Sequence, residues 1–239
     1  MMMNVVQFIA GKSTVGRRSD HSKEELYELA LQAARAIIDA DGPRALTARN
    51  VADAIGYSPG TLYNLFENLD DLITHLNGRL LDEMGDALAG TPVGDDAREN
   101  LMFLLHRYLS FIGERANLWN LVFEHTIPGD GVPTWYQRKV EKVISILERA
   151  LAPAFRGIDG EGPKRSARVL WASLHGIWSL GSSGKLDVLT SETTTVMAEN
   201  LIATYVAGIE ARREQGKSPD HPATHRPGPA RAKDRRAAK

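Results

Sequence analysis

The chain has 239 residues, 43% of them hydrophobic and 25% charged, with a formal net charge of −1. That balance belongs to a soluble globular protein with ample core, in one large domain or two small ones. No apolar run approaches the ~20 residues needed to span a bilayer, and the absence of cysteine excludes disulfides, thiolate metal sites and thiol nucleophiles.

The opening run MMMNVVQFIAGKSTVGRR places its apolar stretch before its basic residues, the reverse of a secretory signal. It reads as a disordered leader over residues 1–19, and a cytoplasmic location is expected. Gly11-Lys12-Ser13-Thr14 imitates the end of a phosphate loop. Val6 stands where that motif needs its first glycine, however, and no strand precedes it. Arg17 and Arg18 are either solvated charges or an arm for a minor groove.

The first predicted helix opens on a capping box, Ser22-x-x-Glu25. Its apolar stripe is Leu26, Leu29, Ala30, Ala33, Ile37 and Ile38, and it stops at Asp41-Gly42-Pro43. Residues 47–68 then form two short helical patterns about a tight turn, Gly56-Tyr57-Ser58. Thr47 can cap the first, which buries Val51, Ala52 and Ile55. Ser58-Pro59 opens the second as a cap followed by proline at the first helical position. Leu62, Leu65 and Phe66 should face inward, leaving Gly60, Thr61, Tyr63 and Asn64 outward. A small, polar outer face near a helix start can approach base edges and phosphates in a major groove. This is a helix-turn-helix. Arg49, on the outer face of the first helix, suits a phosphate clamp.

A fourth helix should run from about Asn68 to Gly90 through Leu72, Ile73, Leu76, Leu80 and Met84. A fifth carries Leu101, Leu104, Leu105, Tyr108, Phe111 and Ile112 over residues 95–114. Further helical patterns cover about 116–126, 133–155, 164–180 and 191–215, with no β-alternating run and no repeat. The expected fold is all-α, about nine helices, divided into a DNA-reading domain (residues 20–76) and an effector-binding and dimerisation domain (residues 77–213). Residues 214–239 are rich in Pro and Arg, nearly free of apolar side chains, and expected to be a disordered basic tail. That tail is the most basic stretch of the chain, whereas acid exceeds base in the reading domain. Phosphate attraction must therefore come from a few placed residues and helix starts.

The C-terminal half holds Trp119, Phe123, His125, Trp135, Trp171, His175 and Trp178, including all four tryptophans. These rings either fill an ordinary core or line an apolar ligand cavity, with His175 or His125 as its polar anchor. Trp119, Phe123, His125, Trp171, His175 and Trp178 are the candidate effector contacts. Neither histidine has a second ligand at metal spacing, so no metal and no cofactor are expected. Catalysis finds no Gly-flanked serine elbow and no carboxylate pair in an apolar setting.

The run ALTARNVADAIGYSPGTLYNLFENLDDLI resembles the DNA-binding domain of TetR-type transcriptional regulators. The matching positions are Leu46-Thr47, Val51-Ala52, Ala54, Gly56, Ser58, Gly60-Thr61-Leu62-Tyr63, Phe66 and Leu72. The match spans residues 23–76, and in one departure Leu69 stands where many members carry a phosphate-binding lysine. Leu174-His175-Gly176-Ile177-Trp178 resembles a ligand-domain subgroup marked by a Trp-His-Gly motif. The resemblance implies a homodimer paired through its last two helices as a four-helix bundle. Gly176, Gly181, Ala167/Ala172 and Ala203/Ala207 would permit close approach there. It implies a double-stranded palindromic operator, with DNA contacts at Thr47, Arg49, Ser58, Gly60, Thr61, Tyr63 and Asn64. Release by an apolar small molecule would make the chain a repressor, with no membrane involved. The alternative is a helical small-molecule-binding protein without sequence-specific DNA binding, with an α-helical enzyme a third class.

Overall fold

The computed structural model describes residues 21–127, 131–157 and 160–215. The leader with its GKST run, Arg17 and Arg18, the turn at Pro128-Gly129-Asp130, Ile158-Asp159 and the basic tail lie outside the described residues. Among those described, nine α-helices and three short 3₁₀ turns occur, and no strand.

Local chemistry sets most helix boundaries. Helix α1 (Lys23–Asp41) carries the expected capping box: Glu25 N donates to Ser22 Oγ at 3.1 Å, and Ser22 N to Glu25 Oε2 at 2.6 Å. Helix α2 (Ala48–Ile55) starts on Thr47, whose Oγ1 accepts from Asn50 N at 3.1 Å. It ends on Gly56 at φ 77°, a left-handed conformation that favours glycine. Helix α3 (Pro59–Leu62) is a single turn. Helix α4 (Leu69–Ala89) is capped by Asn68, and α5 (Ala97–Gly113) by Asp96. Then come α6 (Ala116–Glu124), α7 (Thr134–Leu151), α8 (Gly162–Ser182) and α9 (Thr194–Glu214).

Several boundaries differ from the sequence reading. The expected second half of the recognition helix, Tyr63 to Phe66, tightens into turns in which Asn64 N and Leu65 N each bond three residues back. Helix α7 stops at Leu151 rather than near Phe155, because Pro153 has no N–H to continue the ladder and a 3₁₀ turn replaces it. Helix α8 begins two residues early, since Pro163 is tolerated in a first turn.

Helix α4 is the spine. Leu72, Ile73, Leu76, Leu80, Leu81, Met84 and Leu88 are buried, and α1, α5, α6 and α7 all pack on it. Its buried polar groups are satisfied: Thr74 Oγ1 donates to Asp70 O at 2.7 Å, and Asn77 Nδ2 to Leu121 O at 3.4 Å. Helices α1–α3 close a small core of Ala30, Leu31, Val51, Ala52, Leu62 and Phe66 at its N-terminal end. A ring cluster joins that unit to the rest. Tyr27 stacks on Phe66 at 5.1 Å, its hydroxyl lies 2.9 Å from His75 Nδ1, and His75 stacks on Trp135 of α7 at 4.8 Å. Arg35 of α1 and Glu83 of α4 add an ion pair at 2.5 Å.

Helices α8 and α9 and the turn between them leave apolar side chains outside: Val169, Val188, Leu189 and Val196 are all exposed. Two of the small residues expected on that outer side are used internally instead. Ala167 is fully buried, and Gly181 packs against Thr194, leaving no room for a Cβ. Among the described residues no helix is long and apolar enough to cross a membrane.

Candidate nucleic-acid interface

The turn between α2 and α3 holds both against α1 through buried Val51, Ala52, Leu62 and Phe66. Ile55 and Leu65 add partly buried contacts to those anchors, and most of the remaining side chains face solvent. Thr47, Arg49, Ser58, Gly60, Tyr63 and Asn64 are exposed, and Thr61 is half-buried. Tyr63 is 55% exposed, which leaves its ring and hydroxyl open to a contact from outside. Thr47 is committed to capping, which orients the free N–H groups at the start of α2 outward. Asn50 Nδ2 donates to Ala45 O at 2.7 Å and pins the 3₁₀ turn (Pro43–Ala45) before that cap.

Ser58 departs from expectation. Its backbone has the extended cap geometry, yet its side chain accepts no backbone N–H; its hydroxyl lies 3.3 Å from Thr61 Oγ1. The pair forms a hydroxyl edge on the exposed face. Gly60 is equally informative. Its φ is not left-handed, and a Cβ built there would meet only Ser58 Oγ at 3.7 Å. No internal contact requires glycine, so the missing side chain keeps the outer approach open. Leu69, in the position of the usual lysine, packs against the core at the start of α4. That position therefore offers no cation to a phosphate.

Two nearby residues were not singled out by sequence. Arg44 is exposed on the 3₁₀ turn three residues ahead of the Thr47 cap, a spacing that could have flagged it. Tyr57, in the inter-helix turn, has its hydroxyl 2.8 Å from His21 Nδ1, a partner 36 residues away that no local pattern reveals.

The C-terminal candidates separate into distinct environments. Trp119 is fully buried and its Nε1 donates to Tyr108 Oη at 3.1 Å, with burial holding the phenol well above its usual range. Trp171 packs edge-on to Trp119 and tilted against Tyr108, and Phe123 stacks on His175 with ring centroids 3.3 Å apart. His125 turns the other way, its Nε2 3.1 Å from Asp70 Oδ1 at the start of α4. An apolar void of about 20 Å³ lies among Leu88, Leu101, Leu104, Leu147, Leu174 and Ile202, with Trp171 on its wall. Trp119, Phe123, His125, His175 and Trp178 do not border it. Trp135, grouped by sequence with these rings, belongs to the junction with α1 instead. Among the described residues no three His, Asp or Glu side chains converge as metal ligands would.

Comparison with known proteins agrees with this geometry. Residues 30–76 match the family of bacterial regulatory proteins described as the tetR family, and residues 101–205 match a tetracyclin repressor-like C-terminal domain. An uncharacterized HTH-type transcriptional regulator of Mycobacterium tuberculosis is 24% identical over 211 residues, covering 87% of this chain and 91% of that one. A solved TetR-family transcriptional regulator from Streptomyces coelicolor superposes with a TM-score of 0.57 at 19% identity, covering 77% of this chain and 99% of that one. A protein of unknown function from Rhodococcus sp. RHA1 reaches 0.62 at 21% identity, covering 79% and 96%.

Proposed function

The chain belongs to the TetR family of bacterial transcriptional regulators rather than to a class of enzymes, and from that premise we propose that it is a homodimeric repressor released from a palindromic operator by an apolar small molecule. The observation that carries the DNA-reading part is Gly60, a helical glycine that nothing inside the chain demands, flanked by exposed Tyr63 and Asn64. Gly60 and Thr61 admit the helix to the major groove, Tyr63 and Arg49 hold phosphates, and Asn64 faces a base edge. Thr47 adds the N–H groups at the start of α2, and the Ser58 hydroxyl reaches the same strand.

Dimerisation through α8 and α9 is supported by their exposed valines and by Val188 and Leu189 on the turn between them, 84% and 70% exposed. Two-fold pairing sets two recognition helices about 34 Å apart, one turn of DNA, or somewhat more. The effector domain, of the Trp-His-Gly type in our reading, takes its ligand among α4–α8. A void of about 20 Å³ holds no more than about one water, so a ligand must part those helices. That gives it the differential affinity for a second state that release requires.

The test is selection from a pool of random duplexes by the purified protein. Enrichment of an inverted repeat supports the reading. Retention of duplex without any sequence enrichment, alongside small-molecule binding, supports the alternative of a helical ligand-binding protein with no specific operator.

A further inference from the structure

Two buried ring nitrogens on α8 have no hydrogen-bond partner: Nδ1 of His175 and Nε1 of Trp178. Residues three apart on a helix are neighbours on its surface, so both side chains lie on one strip with Trp171, a turn before His175. At its Trp171 end the strip borders the apolar void, together with Leu174. Phe123 of α6 covers the imidazole face, stacked at 3.3 Å and 18°. The strip thus has an apolar end and an end with two unmatched polar nitrogens.

Their chemistry narrows what could match them. An indole N–H only donates, and His175 Nδ1 donates in one of its two neutral tautomers. Buried donors left without acceptors are costly, so an acceptor delivered by a ligand gains more here than it would at a wetted site. Burial alone pushes the His175 imidazole below its ordinary range, with no Asp, Glu, Lys or Arg contributing. A neutral imidazole and an indole cannot compensate a carboxylate or phosphate stripped of its water.

We propose that the strip between α6 and α8 binds a neutral, mainly apolar molecule bearing one carbonyl oxygen (a ketone, ester or lactone), which accepts hydrogen bonds from Trp178 Nε1 and His175 Nδ1. The apolar body lies along Trp171 and Leu174 toward the void. This rests on the reading that the C-terminal domain holds an apolar effector, and it names that effector's class and polar anchor. It also moves the polar end of the site to Trp178, a tryptophan whose ring alone would be read as filling.

The full-length protein, ¹⁵N-labelled, is titrated with 2-octanone and separately with octanoate while its indole N–H resonances are followed. Trp178→Phe identifies the Trp178 signal by its disappearance. A saturable shift of that signal with 2-octanone, at least ~10-fold tighter than any shift with octanoate, is the expected result. His175→Phe, which keeps a ring stacked on Phe123, weakens the ketone by about 5- to 10-fold, the loss of one neutral hydrogen bond. Octanoate binding as tightly as the ketone overturns the proposal, as does ketone binding that leaves the Trp178 signal still. No saturable shift with either probe also overturns it. The broader effector reading fails on a different result: a ligand that saturates the C-terminal domain yet leaves operator affinity unchanged.

Discussion

A side chain at position 60 would meet only the Ser58 hydroxyl, so α3 could carry alanine there with a gain in stability of about 0.5–1 kcal/mol. Glycine at that point sacrifices helix stability to keep the face flat, which is the compromise expected where another molecule must approach closely. Tyr63 makes the complementary case, since more than half of its surface is exposed. Tyr63→Ala is expected to leave the melting temperature within a degree or two. It should weaken binding to all duplexes alike by ~1–2 kcal/mol, as loss of a phosphate contact would. Titrations against operator and scrambled DNA check both halves of that statement. The exposure of Gly60 was legible from the helical pattern, and that of Tyr63 was anticipated although the helix ends at Leu62 and turns carry the chain onward. The pairing of Ser58 with Thr61 was not, because a hydroxyl at a cap position chooses between backbone and side-chain partners only in three dimensions.

Caps and apolar stripes placed the helices to within a few residues because both are local, whereas the contacts that join the reading unit to α7 bridge residues far apart in sequence. Trp135 lies 60 positions beyond His75, so no local pattern could reveal that the two rings stack. It lies over Gly78, where an added Cβ would sit 2.6 Å from Trp135 Cζ3. Gly78→Ala is expected to destabilise the fold by ~1–3 kcal/mol in urea titrations. Trp135→Ala should remove most of that penalty, so the double mutant departs from additivity. The same junction predicts a pH dependence. Burial lowers the His75 pKa, a neighbouring Asp71 opposes the shift, and Lys139 and Arg79 reinforce it. With the folded value below the ordinary 6.5, the unfolded chain takes up the proton first. Stability is then whole above that pH and falls as pH drops through the folded value. Melting curves from pH 7.5 to 5 should show that decline, with a shallower slope in His75→Phe.

At the scale of the whole molecule, α4 ties the helix-turn-helix unit to the C-terminal helices, and α9 completes the latter by burying Ala198, Ile202, Val206 and Ile209. Removing everything after Gly216 should leave a dimer, because the tail has almost nothing apolar to contribute. Removing everything from Thr190 strips α9 and should yield an aggregating or unfolded chain; sedimentation separates the two outcomes, and a well-folded monomer from the longer deletion would contradict the assembly. A dimer carries two copies of the reading face, so one substitution disables both heads together. The most direct test is therefore the affinity of the folded Gly60→Trp dimer for the duplex that the wild-type protein selects. A bulky ring at that position should lift both helices from their grooves and cut binding by about 1,000-fold or more, to the level of non-specific attraction. Wild-type affinity in that variant would contradict the placement of the reading face.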